Sequence, residues 1–177
     1  MSHWEELGPW ALDFLRRAGL TRESVVLDMG CGSLPVTIAL LPALDLSRYW
    51  GYEFDRELFD RGILVEMMNR GLQPERGHFI INDRFDLSES PYVFNFALAH
   101  SLSGRLSAER FGVAVAAVVG HLAPGGQFFL SVGAEQKEHL SVVGRVCATI
   151  RATTEPREDA GHPRGDLVWR IVRQESP

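Results

Sequence analysis

Apolar positions along the chain follow two alternating rhythms. Between Trp4 and Ala18, the residues Leu7, Trp10, Leu12, Phe14 and Leu15 recur at the spacing of a helix with one apolar face, and Gly19 closes it. Val25 to Asp28 is a short apolar run without polar alternation, the pattern of a strand buried on both sides. Pro35 opens a second helix in its first turn, where a missing N–H does no harm. Tyr49 to Glu53 predicts a second strand, Arg56 to Arg70 a third helix closed by Gly71, Phe79 to Asn82 a third strand and Val93 to Ala99 a fourth. Ala108 to Leu122 predicts a helix, Pro124-Gly125-Gly126 a turn and Gln127 to Val132 a fifth strand. Beyond it the signal weakens. Glu138 to Ile150 has helical spacing, Leu167 to Arg173 alternates like a final strand, and Thr153 to Gly165 predicts a hairpin or loop.

Strands alternating with helices in this way predict βαβ units and a mainly parallel sheet within one α/β domain spanning residues 1–177. In such sheets ligands bind beyond the carboxyl ends of the strands, where strand order reverses. The residues that end the strands therefore carry the functional weight.

Composition narrows the choice. At 177 residues, 45% apolar and 23% charged, the chain has the make-up of a soluble globular domain. No apolar run approaches the roughly 20 residues that span a bilayer. The start, MSHWEELGPW, is acidic and aromatic, unlike a targeting peptide, so a cytoplasmic protein without a membrane partner is expected. A net charge of −5 argues against a polyanion as the main partner. Cys31 and Cys147 lie too far apart for a metal or redox pair, and no metal site is expected.

The most informative stretch is Val25 to Pro35, VVLDMGCGSLP. Two glycines after a buried strand let a ligand approach the backbone closely. Glu53 follows Gly32 by 21 residues and ends the second strand, where a carboxylate suits both hydroxyls of a ribose. A nicotinamide dinucleotide would call for a third glycine at position 35, and Pro35 stands there instead.

In order, VLDMGCG, WGYEFD, FIINDRFD, FALAHSL and LAPGGQFFLSV resemble the motifs of the class I S-adenosylmethionine-dependent methyltransferases. That resemblance implies a Rossmann-like, doubly wound, seven-stranded sheet with helices on both faces. One strand would run antiparallel near the C-terminal edge, most simply Leu167 to Arg173. It implies S-adenosylmethionine as cofactor and S-adenosylhomocysteine as product. Asp28 would bond the cofactor's ammonium, directly or through water, and Gly30, Cys31 and Gly32 would form the turn along its methionine part. Cys31 itself reads from the residues as a small packing side chain. Glu53 would take the ribose, Phe54 would cover the adenine, Asp83 would accept from the adenine amino group and the Arg84 N–H would donate to a ring nitrogen. His100, after the fourth strand, is the candidate catalytic residue, as a general base, with a substrate or cofactor contact and a satisfied structural histidine as its other readings, and His162 in the late loop is a weaker candidate. Trp4 and Trp10 are candidates for a lid or for core.

The chain departs from the family at three places. Ser33-Leu34-Pro35 stands where a third small residue is common, Asn95 replaces a fourth-strand acid, and Gly104-Arg105-Leu106 replaces a common Thr-His-Leu. The expected activity is methyl transfer to a small-molecule acceptor, with a nucleic acid or protein acceptor and the oligomeric state left open. A binder of the same cofactor that transfers nothing, acting as a sensor or partner subunit, is the first rival. An NAD(P)-dependent oxidoreductase is the second.

Overall fold

The computed structural model describes residues 3–90 and 93–174, with side chains from residue 5 onward; the side chain of Trp4 lies outside the described residues. Seven strands join one sheet: β1 (Val26–Met29), β2 (Tyr49–Glu53), β3 (His78–Ile81), β4 (Phe94–Ala99), β5 (Leu122–Val132), β6 (Ala152–Pro156) and β7 (Leu167–Arg173). The helices are α1 (His3–Arg17), α2 (Pro35–Leu40), α3 (Arg56–Arg61), α4 (Ala108–Gly120) and α5 (Lys137–Thr149). Strand order is β3-β2-β1-β4-β5-β7-β6. β1 to β5 pair in parallel, whereas β7 runs antiparallel to both β5 and β6. This is the expected doubly wound sheet, with its antiparallel strand next to the C-terminal edge.

The order reverses between β1 and β4, so the glycine turn after β1 sits at the switch point. β1 is buried at every position because each face meets a core of its own. Leu27 and Met29 pack with Phe111, Val115 and Phe128 on the face covered by α4 and α5. Val26 packs with Phe14, Leu15 and Val36 on the face covered by α1 and α2. In α1 the buried residues Leu7, Ala11, Phe14 and Leu15 keep the helical spacing read from the sequence.

Two elements differ from the sequence expectation. The third helix is α-helical only to Arg61 and continues as a π turn over Gly62–Met67. The Pro-Gly-Gly turn lies within β5: Leu122 pairs with Phe94 and Gln127 with Phe96, so the four residues between them bulge opposite Asn95. A Cβ at Gly126 would come within 2.7 Å of the Phe94 carbonyl oxygen, so only glycine fits there. The expected hairpin or loop from Thr153 is a hairpin: β6 pairs antiparallel with β7, and a short 3-10 turn over Glu158–Ala160 lies in the connection. Among the described residues, no helix is long and apolar enough to cross a membrane.

Candidate functional site

The turn after β1 is tied to the end of β2. Gly30 and Cys31 both donate backbone N–H bonds to the Tyr52 carbonyl, at 2.8 and 2.9 Å. Gly30 and Gly32 hold φ values of 83° and 57°, in the left-handed region that glycine enters without steric cost. Leu34 holds φ 69° in the same region despite its side chain, which is fully buried. The strain is of the order of 1–2 kcal/mol.

Glu53 ends β2 with no solvent exposure. Its Oε2 accepts from the Gly32 N–H at 2.8 Å and from Arg105 Nη1 at 3.2 Å. Its Oε1 accepts from the N–H groups of Phe54 and Asp55, both at 2.9 Å. A buried carboxylate needs such a set of donors, and charge-assisted bonds are the strong kind. The Arg105 guanidinium also lies 3.7 Å from Asp55 Oδ2 and 4.4 Å from the centre of the Phe54 ring. Asp55 meanwhile caps α3 by accepting from the Leu58 N–H.

The other expected turn residues face the core. Asp28 is 2% exposed and accepts from the Tyr49 hydroxyl at 2.8 Å, with Thr37 Oγ1 2.6 Å from that hydroxyl. Burial, with a smaller push from the charge of Glu53, raises the Asp28 carboxyl to about 7, although the Tyr49 bond opposes the rise. Cys31 is buried, and its thiol is pushed well above its ordinary value, mainly by that burial. Its sulfur lies beside Gly51, where an added Cβ would come within 3.2 Å.

At the end of β3, the Arg84 N–H bonds to Asn82 Oδ1 at 3.0 Å, so the donor expected to meet a ring nitrogen is already engaged. Asp83 is exposed, and its carbonyl accepts from Arg110 Nη2 at 2.7 Å. Tyr52 organises this corner: its hydroxyl donates to Asn82 and accepts from the Phe85 N–H at 2.8 Å. Phe85 thereby comes edge-on to Phe54, with ring centres 6.4 Å apart. Asn95 lies at the other end of β4 from this site and accepts from the Val25 N–H.

His100 follows β4 and meets His162 from the late loop, with Nδ1 and Nε2 2.8 Å apart. The N–H groups of Arg164 and Asp166 both point at His162 Nδ1, at 3.3 Å, so that nitrogen is an acceptor. His162 Nε2 therefore carries the proton and donates to His100 Nδ1. That leaves the His100 proton on Nε2, which lies 3.0 Å from Ser101 Oγ. Burial, then the neighbouring His162 and Arg164, lowers His100 to about 3, and burial lowers His162 as well. The lone pair that a base would use is thus already accepting a bond. Trp10 covers this pair edge-on, its ring centre 4.7 Å from that of His162.

His100, His162 and Asp166 also bring three ligand-type atoms within 4.8 Å of one another. The two nitrogens stand at hydrogen-bond distance rather than apart on a shared ion, and Arg164 adds positive charge beside them. Next to Ser101 a cleft of about 290 Å³ opens, lined by Ser103, Arg105, Gln136, Arg164 and Asp166 among others.

Sequence reasoning named Gly30, Gly32, Glu53 and Phe54, which the structure brings together. It missed the parts played by Arg105, Tyr52 and Phe85. Arg105 had one signal, its departure from the family pattern.

No protein-family model and no curated protein sequence matches the chain. Solved structures do. A TehB-like S-adenosylmethionine-dependent methyltransferase from Corynebacterium glutamicum superposes with TM-score 0.66 at 16% identity, over 94% of this chain and 88% of its own. The magnesium protoporphyrin IX methyltransferase of Synechocystis PCC 6803, solved with S-adenosylmethionine bound, gives 0.73 at 11% identity, over 97% and 80%. An amino pentose methyltransferase of calicheamicin biosynthesis from Micromonospora echinaspora, also with S-adenosylmethionine bound, gives 0.71 at 14%, over 97% and 92%. The chain thus has the fold of the S-adenosylmethionine-dependent methyltransferases.

Proposed function

We propose that this protein binds S-adenosylmethionine and transfers its methyl group to a small-molecule acceptor. The observation that carries the reading is the 2.8 Å bond from Gly32 N–H to Glu53, which joins the glycine turn to the buried acid at the switch point of the sheet. The residues suit the ligand. Gly30 and Gly32 hold the left-handed φ values of a turn whose backbone a ligand can approach closely. Glu53 offers acceptors for a ribose, and the half-buried Phe54 offers an apolar face for a base, backed by the buried Phe85.

The bound cofactor would supply a methyl group on a sulfonium, an excellent leaving group. What the chain must add is alignment and exclusion of water. Gly30, Gly32 and Glu53 would fix the donor, and the cleft beside Ser101 would hold the acceptor. His100, neutral and donating, would orient Ser101 rather than remove a proton. The magnesium protoporphyrin and amino pentose enzymes support a small-molecule acceptor, as does the modest size of the cleft.

Calorimetric titration with S-adenosylmethionine and S-adenosylhomocysteine tests the reading. Saturable binding with a raised melting temperature is expected, because a ligand of the folded state stabilises it. Folded protein that ignores both at millimolar concentration, or binds reduced nicotinamide cofactor instead, would refute it.

A further inference from the structure

The segment after β4 lies where that cofactor has to go. Leu102 is 2% exposed and covers Gly30, where an added Cβ would meet its Cδ1 at 3.1 Å. Three residues on, Arg105 spans the Phe54 ring and ends on Glu53. The four donors around Glu53 are not equivalent. Three are backbone N–H groups, of Gly32, Phe54 and Asp55, which are fixed by the turn and the strand end. The fourth is the guanidinium of a flexible side chain that is 31% exposed. A ribose diol seeking Glu53 can displace that one without disturbing the sheet.

We propose that Arg105 is a gating residue that holds the ribose end of the site shut and competes with the cofactor for Glu53. The proposal rests on the reading above. The 3-10 turn over Leu102–Gly104 is closed by local bonds, Gly104 N–H to Ser101 at 3.3 Å and Arg105 N–H to Leu102 at 3.0 Å, and its polar ties to the rest of the fold run through side chains: Ser101 N–H donates to Ser131 Oγ at 3.0 Å, Ser103 Oγ donates to Gln136 and Arg164 donates to Ser101 Oγ. It starts at Ser101 with φ 55°, a strained value for serine. Arg105 also lines the cleft that contains Arg164. Released from Glu53, its guanidinium turns into that cleft, so cofactor entry reshapes the acceptor side.

The test is titration of S-adenosylhomocysteine into wild type, Arg105→Ala and Arg105→Gln, the last keeping a stem over Phe54 without the charge. Both variants should bind roughly tenfold tighter, equivalent to about 1.4 kcal/mol. Hydrogen exchange on wild type adds a second readout: amides 101–106 should exchange faster with ligand bound, while Gly30 and Gly32 slow. Measurable wild-type binding that is unchanged or weakened in both variants would overturn the gate and leave the cofactor reading standing. Binding only to the variants would establish the gate in its strongest form. No binding to any of the three, all folded, would overturn the gate and the cofactor reading together.

Discussion

Gly62 leaves the space that the Leu34 side chain fills. A Cβ at Gly62 would stand 2.7 Å from Leu34 Cγ and 3.0 Å from the Ser33 carbonyl carbon. Leu34 departs from the small residue common at its position, and Gly62 is the matching concession at the start of the π turn. Burial of the leucine offsets the left-handed backbone strain that it carries.

The pair should behave as one unit. Gly62→Ala is expected to lose about 1–3 kcal/mol through overpacking, less what alanine returns in helix propensity. Leu34→Ala should lose about 2–5 kcal/mol through the cavity. The double variant should lose clearly less than the sum, since the new Cβ meets a shortened partner. Urea denaturation of all four proteins measures the coupling; additive losses would dissolve the pair.

Glu53 should matter to the fold before any ligand arrives. Glu53→Ala strands the N–H groups of Gly32, Phe54 and Asp55, so the ligand-free protein should lose on the order of 2–4 kcal/mol. Glu53→Gln keeps one acceptor oxygen and should lose less. Chemical denaturation without cofactor checks both, and an unaffected Glu53→Ala protein would show that the carboxylate has no structural role.

The buried histidine pair makes the protein sensitive to acid. An unfolded chain takes up a proton on His100 below about 6.5, whereas the folded chain refuses it until about 3. The folded state then holds fewer protons, so stability falls as pH drops through that window, by up to about 1.4 kcal/mol per pH unit for this group. His100→Asn should flatten the decline between pH 6.5 and 4, read from denaturation midpoints. An unchanged slope would place His100 in contact with water.

Asp28 should act in the opposite sense. Its carboxyl rises from 3.8 to about 7 in the folded state, so that state holds the extra proton between those values. Stability from this group is present at low pH and lost as pH rises towards 7. Asp28→Asn keeps an acceptor for the Tyr49 hydroxyl and cannot ionise. Its stability relative to wild type should therefore grow from pH 4 to pH 8, reaching a few kcal/mol at most. It should also leave the histidine-driven acid loss more visible.

The sequence displayed most of the sheet because strands buried on both faces, such as Val26–Met29 and, past the exposed Asn95, residues 96–99 of β4, write themselves as apolar runs. The bounds of β6 within the expected hairpin escaped because it is an edge strand, Ala-Thr-Thr-Glu-Pro, with four of its five positions exposed and no apolar rhythm to see. The π turn escaped because one residue of changed register leaves the apolar spacing almost intact. Within the site, Gly30, Gly32 and Glu53 were legible through short-range spacing. The two contacts that change its chemistry join residues far apart: Arg105 lies 52 positions from Glu53, and His162 lies 62 from His100. Only the sheet's crossover brings such pairs together.

The placement of α1 bears on the order in which the molecule can assemble. Trp10 Nε1 donates to the Ala160 carbonyl at 2.7 Å, and the Phe14 ring meets Phe129 with centres 4.8 Å apart. During synthesis α1 is made well before the groups that seat its aromatic face. Until residue 160 is available, Trp10 has neither its hydrogen bond nor the His162 edge. α1 is therefore clasped by residues 150 positions later, and α1 and the β6–β7 margin should open and close as one cooperative unit, visible as matched hydrogen-exchange rates in the two segments.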